Sequence, residues 1–319
     1  MAQRFSIIIP VYNLENYIKQ CLDSVLSQNF LSWEAIVVND GSADSSLEII
    51  KKYTESDKRF KLIDKPNGGL SAARNDAMNV CTGDYIIFLD GDDWLDKSAL
   101  EIINELIGNT EVDLLVHQMN YYYSENDCKK SSTKISDGNY SGIDFLHTVL
   151  TNKQYNFYVA QAKAYRREFL EQYQLHFIQG ILHEDGPFFF EVCHKADKVF
   201  FTKQALYFYR QNREGQITSS RTFRSYEGVM RGIENNMKLY GRKDKIVNGA
   251  MLNLCTFLAG KYKTKEDERK AYSKLRTLKS KKLLVHFLTH SKTDFRVWTR
   301  GLLLAIDPVI LKFVYKIWF

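Results

Sequence analysis

Tyr85-Ile86-Ile87-Phe88-Leu89 runs straight into Asp90-Gly91-Asp92-Asp93, and this junction narrows the folds open to the chain more than any other stretch. Five largely β-favouring apolar residues in a row suit a strand buried on both faces, as in the middle of a parallel sheet. Three carboxylates at its carboxyl end repel one another unless a cation or a protonation event relieves them. Open α/β sheets bind their ligands at that end of the strands. A polar turn accounts for one aspartate there but not for three within four residues, so the stretch points to a divalent metal holding a phosphorylated ligand.

The preceding sequence supplies the rest of such a sheet. Phe5 to Val11 is a β-branched run closed by Pro10, and Leu14, Tyr17, Ile18, Cys21, Leu22, Val25 and Leu26 follow at helical spacing. Trp33 to Val38 is a second strand that stops at Asn39-Asp40-Gly41-Ser42. The next helix carries Leu47, Ile49, Ile50 and Tyr53, with Ser45 and Glu48 spaced as a capping box. Phe60 to Ile63 is a third strand, Lys65 to Gly69 a loop, and Leu70 to Val80 a helix with Gly83 as its C-cap glycine. A helix over Lys97 to Ile107 and a strand over Val112 to Val116 extend the series. Strands alternating with helices in this order define a parallel sheet covered on both faces, so residues 1–120 read as a doubly wound nucleotide-binding unit.

Beyond it the pattern predicts a polar surface excursion over Tyr121 to Gly142 and helices over Ile143 to Leu150 and Ala162 to Tyr173. It places Pro187 in the first turn of a helix that continues through the apolar run Phe188 to Cys193, and two strands over Lys198 to Thr202 and Ala205 to Tyr209. Helices are expected from Arg221 onward. The five cysteines are scattered, odd in number and without a CxxC pair, which points to reduced thiols and a cytosolic setting. No charged leader or apolar signal segment precedes the first strand. The net charge of +6 is unevenly spread: residues 261–319 carry +10 and the remainder −4.

No GxGxxG follows the first strand and no GxxxxGK[ST] is present, so a nucleotide is not gripped by a Rossmann or P-loop turn. Carboxylates stand at the strand ends instead. Asp40 is placed to accept from an N–H such as uracil N3–H, or else it is a turn residue in Asn-Asp-Gly-Ser.

Ser6-Ile7-Ile8-Ile9-Pro10-Val11-Tyr12-Asn13, Val38-Asn39-Asp40-Gly41-Ser42, Asn67-Gly68-Gly69-Leu70-Ser71-Ala72-Ala73-Arg74-Asn75 and Asp90-Gly91-Asp92-Asp93 together resemble the ordered motif series of family 2 glycosyltransferases. The resemblance resumes at Tyr165 to Leu170, Glu184-Asp185 and Tyr209-Arg210-Gln211. It implies the α/β GT-A fold, a mainly parallel sheet covered by helices, with a helical C-terminal extension. The domain division expected is a catalytic domain over 1–220, made of a nucleotide-binding half (1–120) and an acceptor half (121–220), followed by a basic helical region over 221–319.

Carried over residue by residue, the resemblance implies that Pro10, Val11 and Glu15 line the pocket for base and ribose and that Asp40 accepts from uracil. Asn67, Gly69 and Arg74 belong to the donor-binding loop and helix. Asp90 reaches the ribose or a metal-bound water, Asp92 ligates Mg²⁺ or Mn²⁺, and Asp93 orients the acceptor or the neighbouring chain. Asp185 is the catalytic base; read without the resemblance it caps a helix. Some relatives place a metal-binding histidine after the Tyr-Arg segment, where this chain has Asn212 to Gln216 and no histidine. Arg213 there either meets the diphosphate or faces solvent.

The implied reaction is inverting transfer from a UDP-sugar donor to a glycan or lipid-linked acceptor in bacterial surface polysaccharide synthesis. The rival readings are a non-catalytic sugar-nucleotide binding subunit and a nucleotidyltransferase. The basic, apolar segments 281–288 and 301–319 suit either an anionic membrane surface on the inner face of the cell or packing on the catalytic domain. No nucleic-acid recognition motif accompanies the basicity.

Overall fold

The computed structural model describes residues 4–108, 112–212, 222–240, 244–257, 262–277, 284, 286–289 and 295–306. Strands β1 (Phe5–Val11), β2 (Trp33–Asp40), β3 (Phe60–Lys65) and β4 (Tyr85–Phe88) alternate with helices α1 (Ile18–Leu26), α2 (Ser46–Ser56) and α3 (Leu70–Met78). The three parallel pairings among these strands run β3-β2-β1-β4. Ile7 in β1 faces Ala35 in β2 on one side and Ile87 in β4 on the other. β1 is completely enclosed, as its largely apolar run requires, and the one polar side chain, Ser6, donates to Glu34 at 2.5 Å. The chain winds outward from β1 to β3 and then returns to place β4 on the opposite flank. Open α/β sheets bind their ligands at such a reversal, here the carboxyl ends of β1 and its neighbours.

The sheet continues through β5 (Trp94–Leu95), helix α4 (Ala99–Ile107), β6 (Leu114–Ser124), β7 (Asp127–Lys130), β8 (Gly138–Tyr140), helix α5 (Gly142–Thr151), β9 (Lys163–Arg166), helices α6 (Arg167–Gln172) and α7 (Asp185–Lys195), and β10 (Val199–Arg210). The full order is β3-β2-β1-β4-β9-β6-β10-β5, with β7 on β6 and β8 on β10.

Several sequence expectations change here. Ala162 to Tyr173 is not one helix. Lys163–Arg166 forms a strand inserted antiparallel between β4 and β6, and the helix starts at Arg167. Its side chains at Lys163, Ala164 and Tyr165 are all buried, which the sheet interior rewards more than helix propensity does. The two strands expected over 198–209 are one, β10, with register shifts between Phe201 and Tyr207 that absorb the polar Lys203-Gln204 interruption. Part of the excursion over 121–142 is a β6–β7 hairpin. At α2 the Ser45 side chain makes no cap bond; Asp44 accepts from the Ser46 N–H instead, at 3.0 Å. Gly83 is not a C-cap, since α3 ends at Met78 with Asn79 beyond it.

The chain divides into two compact units. One comprises residues 1–146, 156–180 and 192–214, and the other residues 147–155, 181–191 and 215–319. In the second, α8 (Phe223–Tyr240), α9 (Lys245–Phe257), α10 (Lys265–Leu275) and α11 (Phe295–Ile306) pack through the pairs α8–α9, α8–α10 and α9–α11. Asp267 ties this unit by accepting from the Phe223 N–H at 2.8 Å, and Gly228 lets α8 approach the Leu182 backbone. Among the described residues no helix is long and apolar enough to cross a membrane. Residues 281–283, 285 and 307–319 of the basic tail lie outside the described residues. All five cysteines are free thiols.

Gly83 matters for a different reason. A Cβ there would lie 2.6 Å from both the Phe5 carbonyl carbon and the Ser6 nitrogen, both backbone atoms of β1. Gly83→Ala is expected to lower the unfolding free energy by about 3 kcal/mol in urea titrations, because the core strand cannot move aside. A loss under about 0.5 kcal/mol would show that β1 is not pressed against this turn.

Candidate active site

Two carboxylate corners flank the end of β1. At the first, β2 delivers Asp40 into a buried position, 3% exposed. Its two oxygens accept from the Gly68 and Gly69 N–H groups, each at 2.8 Å, and its carbonyl accepts from the Asn67 amide at 2.9 Å. Asp40 thereby fixes the loop ahead of α3 as well as ending a strand. Gly41 has φ +73°, and a Cβ on it would stand 2.7 Å from the Asn67 nitrogen, so the close approach of the two turns requires glycine. Pro10 and Val11 close β1 beside Val38 and Asn39. Glu15 is exposed and accepts from the Ser45 N–H at 2.9 Å, while Asp44 accepts from the Glu15 N–H at 3.0 Å. This reciprocal pair holds the loop after β1 against the start of α2.

At the second corner the ligand oxygens of Asp90, Asp92 and Asp93 lie within 4.8 Å of one another. Each has its own surroundings. Asp90 accepts from Arg74, a fully buried guanidinium, at 2.9 Å, and from the Gln161 side-chain amide. Arg74 also sits 5.1 Å from the Phe177 ring centroid. Asp93 is 1% exposed; it accepts from the Tyr207 hydroxyl at 2.6 Å and from the Arg210 N–H at 2.8 Å. The same Tyr207 hydroxyl accepts from the Asp90 N–H at 3.2 Å. Burial, and then the charges of Asp92 and Asp90, push the Asp93 carboxyl well above the usual carboxylate range. Burial and the same three aspartates also raise the Cys21 thiol, which donates to the Asp90 carbonyl at 3.7 Å.

Asp92 is half-buried, and its carbonyl accepts from Arg210 Nε at 2.9 Å. The Arg210 guanidinium is ringed by Tyr17, Trp94 and Tyr122, with centroids 4.9–5.5 Å away. The donor set at this corner is oxygen only, which suits a hard divalent cation such as Mg²⁺ or Mn²⁺. Three carboxylate ligand atoms within 4.8 Å of one another make a compact set of hard oxygen donors, so the residues fit such a cation.

The structure thus brings Pro10, Val11, Asp40, Asn67 and Gly69 to one corner and Arg74, Asp90 and Asp92 to the next. Asp185 stands in the first turn of α7, in the second unit, next to the buried Glu184. Arg213 lies outside the described residues. Sequence reading missed Gln161, Tyr207 and the part played by Arg210. The block Tyr209-Arg210-Gln211 held the signal for the last; Gln161 was hidden by the helix expected just after it.

An open, mainly parallel sheet with acidic strand ends at the reversal of strand order is the GT-A architecture. The chain belongs to glycosyl transferase family 2, whose model matches residues 6–174. It is 36% identical to the glycosyltransferase GlyA of Streptococcus pneumoniae over 225 residues, covering 67% of this chain and 31% of GlyA. It is 31% identical over 285 residues to EpsH of Bacillus subtilis, which carries a glycosyltransferase name, covering 86% of this chain and 81% of EpsH. The chain therefore spans less than a third of GlyA and about four fifths of EpsH. The crystal structure of S. aureus TarS 1-349 in complex with UDP-GlcNAc shares the fold, with a TM-score of 0.73 at 21% identity, covering 98% of this chain and 92% of that one.

The Arg74–Asp90 contact carries a stability consequence. Arg74→Met keeps the length of the side chain but removes the buried cation, and is expected to cost about 3 kcal/mol in denaturant unfolding. Lys19→Met, at the exposed Lys19–Asp23 pair, is expected to cost under about 0.5 kcal/mol in the same assay. Equal effects of the two would show that burial adds nothing to the first pair.

Proposed function

We propose that this protein is an inverting glycosyltransferase that moves a sugar from a UDP-sugar to a hydroxyl of a glycan or lipid-linked acceptor, in the synthesis of a bacterial surface polysaccharide. The observation that carries the reading is the acidic turn after β4, with three carboxylate ligand atoms within 4.8 Å at the carboxyl end of a parallel strand. Family membership, the glycosyltransferase names of the relatives and the UDP-GlcNAc bound by TarS support it.

In this reading Asp40 accepts from uracil N3–H while its backbone contacts keep the Asn67–Gly69 loop in place. Pro10, Val11 and Glu15 border base and ribose, and Arg74 orients Asp90 toward the ribose or a metal-bound water. Asp92, with Asp90, would hold Mg²⁺ or Mn²⁺, which supplies positive charge to the departing diphosphate. Arg213 adds a second cation for that diphosphate. Asp185 takes the proton of the acceptor hydroxyl as its oxygen attacks the anomeric carbon. The anomeric C–O bond breaks on the opposite face, its electron pair leaves with UDP, and configuration inverts in one displacement. Residues 1–220 form the catalytic domain, with the acceptor half over 121–220, and residues 221–319 are a basic helical extension on the cytoplasmic side.

UDP release from a panel of UDP-sugars with Mn²⁺ tests the reaction. Asp92→Ala is expected to lose turnover by at least 10³-fold and to weaken UDP binding, since it removes charge stabilisation. Asp185→Asn is expected to lose 10²–10⁴-fold in turnover with UDP binding retained. Full turnover by either variant would reject its role. Pyrophosphate release from UTP, without UDP release from any sugar nucleotide, would mark a nucleotidyltransferase instead, and UDP binding without transfer would mark a binding subunit.

The basic extension has its own test. Flotation with vesicles containing anionic lipid is expected to carry the full chain and to fall sharply at high salt, as electrostatic attachment requires. Absence of flotation at low salt would leave the extension a packing element.

A further inference from the structure

Residues 159–162 form a short loop whose four carbonyls are all held by the protein. Lys163 Nζ donates to the carbonyls of Val159 at 2.6 Å and Gln161 at 3.2 Å. The Tyr165 hydroxyl donates to Ala160 at 2.9 Å, and the His117 N–H to Ala162 at 3.0 Å. Lys163 is fully buried in the sheet interior, on the strand between β4 and β6. Ala162 has φ +57°, a conformation that costs a residue with a Cβ roughly 1 kcal/mol or more. A buried ammonium and a left-handed alanine persist together only where the surroundings over-determine the loop. What the loop presents is Gln161, whose amide donates to Asp90 Oδ2 opposite the Arg74 contact on Oδ1.

The choice of a neutral donor has an electrostatic meaning. Arg74 already brings one positive charge to a corner with three carboxylates. A second cation on Asp90 would cancel more of the field that attracts a divalent ion, whereas an amide fixes the plane of the carboxylate and leaves the charge in place. We infer that Gln161 is a positioning residue for the donor-site metal. It holds Asp90 in orientation without neutralising it, and the Lys163 strap keeps Gln161 aimed. The inference rests on the metal-dependent reading given above and deepens it.

Mn²⁺ titration of the full-length chain in the presence of UDP, followed by electron paramagnetic resonance of the free ion, separates the possibilities when run beside thermal unfolding. Gln161→Met, which keeps the length and removes the donor, is expected to weaken Mn²⁺ binding about tenfold, the lower end of the range for groups that orient metal ligands. Gln161→Lys is expected to weaken it by about 100-fold while unfolding at no lower temperature than Gln161→Met, because the lysine still bonds Asp90. A purely structural glutamine would move affinity and stability together. Mn²⁺ binding by both variants as tight as by the wild type overturns the inference alone. So does an affinity loss in Gln161→Lys no greater than in Gln161→Met. If Gln161→Lys does not fold, Gln161→Met decides: a tenfold loss with the unfolding temperature kept upholds the inference, and wild-type affinity, or a loss matched by a fall in unfolding temperature, overturns it. No Mn²⁺ binding by the wild type overturns the metal reading and this inference with it.

Discussion

Like-charge repulsion on the turn after β4 is the constraint around which this fold is arranged. Two unit charges about 4 Å apart repel by roughly 4 kcal/mol at the effective dielectric of a protein surface, and this turn carries three carboxyl groups. The chain answers with groups from distant segments: Arg74 from α3, Gln161 from the loop before β9, Tyr207 and the Arg210 N–H from β10. Arg210, the second cation nearby, turns its guanidinium among three aromatic rings and gives its Nε to the Asp92 carbonyl, not to a carboxylate. Asp93 is held by a hydroxyl and a backbone amide, both neutral donors. The corner is thus fixed by contacts from several distant segments of the chain.

Asp40 illustrates the same economy at the other flank of β1. Its oxygens bond two successive backbone amides, which anchors the loop that leads into α3. α3 in turn carries Arg74 to the Asp90 corner. One carboxylate at the end of β2 therefore helps determine where the cation beneath the end of β4 will stand. The two acidic corners are mechanically linked through α3, with β1 as the rigid strip between them.

What could be read from the sequence follows from how local the responsible forces are. β1, β2 and β4 were legible because buried parallel strands are largely apolar runs, β3 because Phe60, Leu62 and Ile63 stand out between polar stretches, and Asp90-Gly91-Asp92-Asp93 because charge clustering is visible in one dimension. β9 was not legible. Lys163-Ala164-Tyr165-Arg166 has no strand-like apolar alternation, and its strand state depends on β4 and β6, far away in sequence. The bulged β10 looked like two strands because Lys203-Gln204 breaks the pattern that the register shift repairs. Gln161 and Tyr207 carry no signature at all, since an amide or a hydroxyl becomes part of a site only through what lies opposite it.

The antiparallel insertion of β9 follows from the same need. A parallel strand beside β4 would arrive at the acidic corner with its carboxyl end and add another strand-end turn there. Running the other way, β9 brings its amino-terminal approach, the loop 159–162, to Asp90. An approach loop can present an uncharged side chain while its own carbonyls are tied from behind by Lys163, Tyr165 and His117. Those ties face the sheet interior, where removal of water strengthens each of them. The direction of one short strand thus gives the corner a rigid neutral donor in place of further mobile charge.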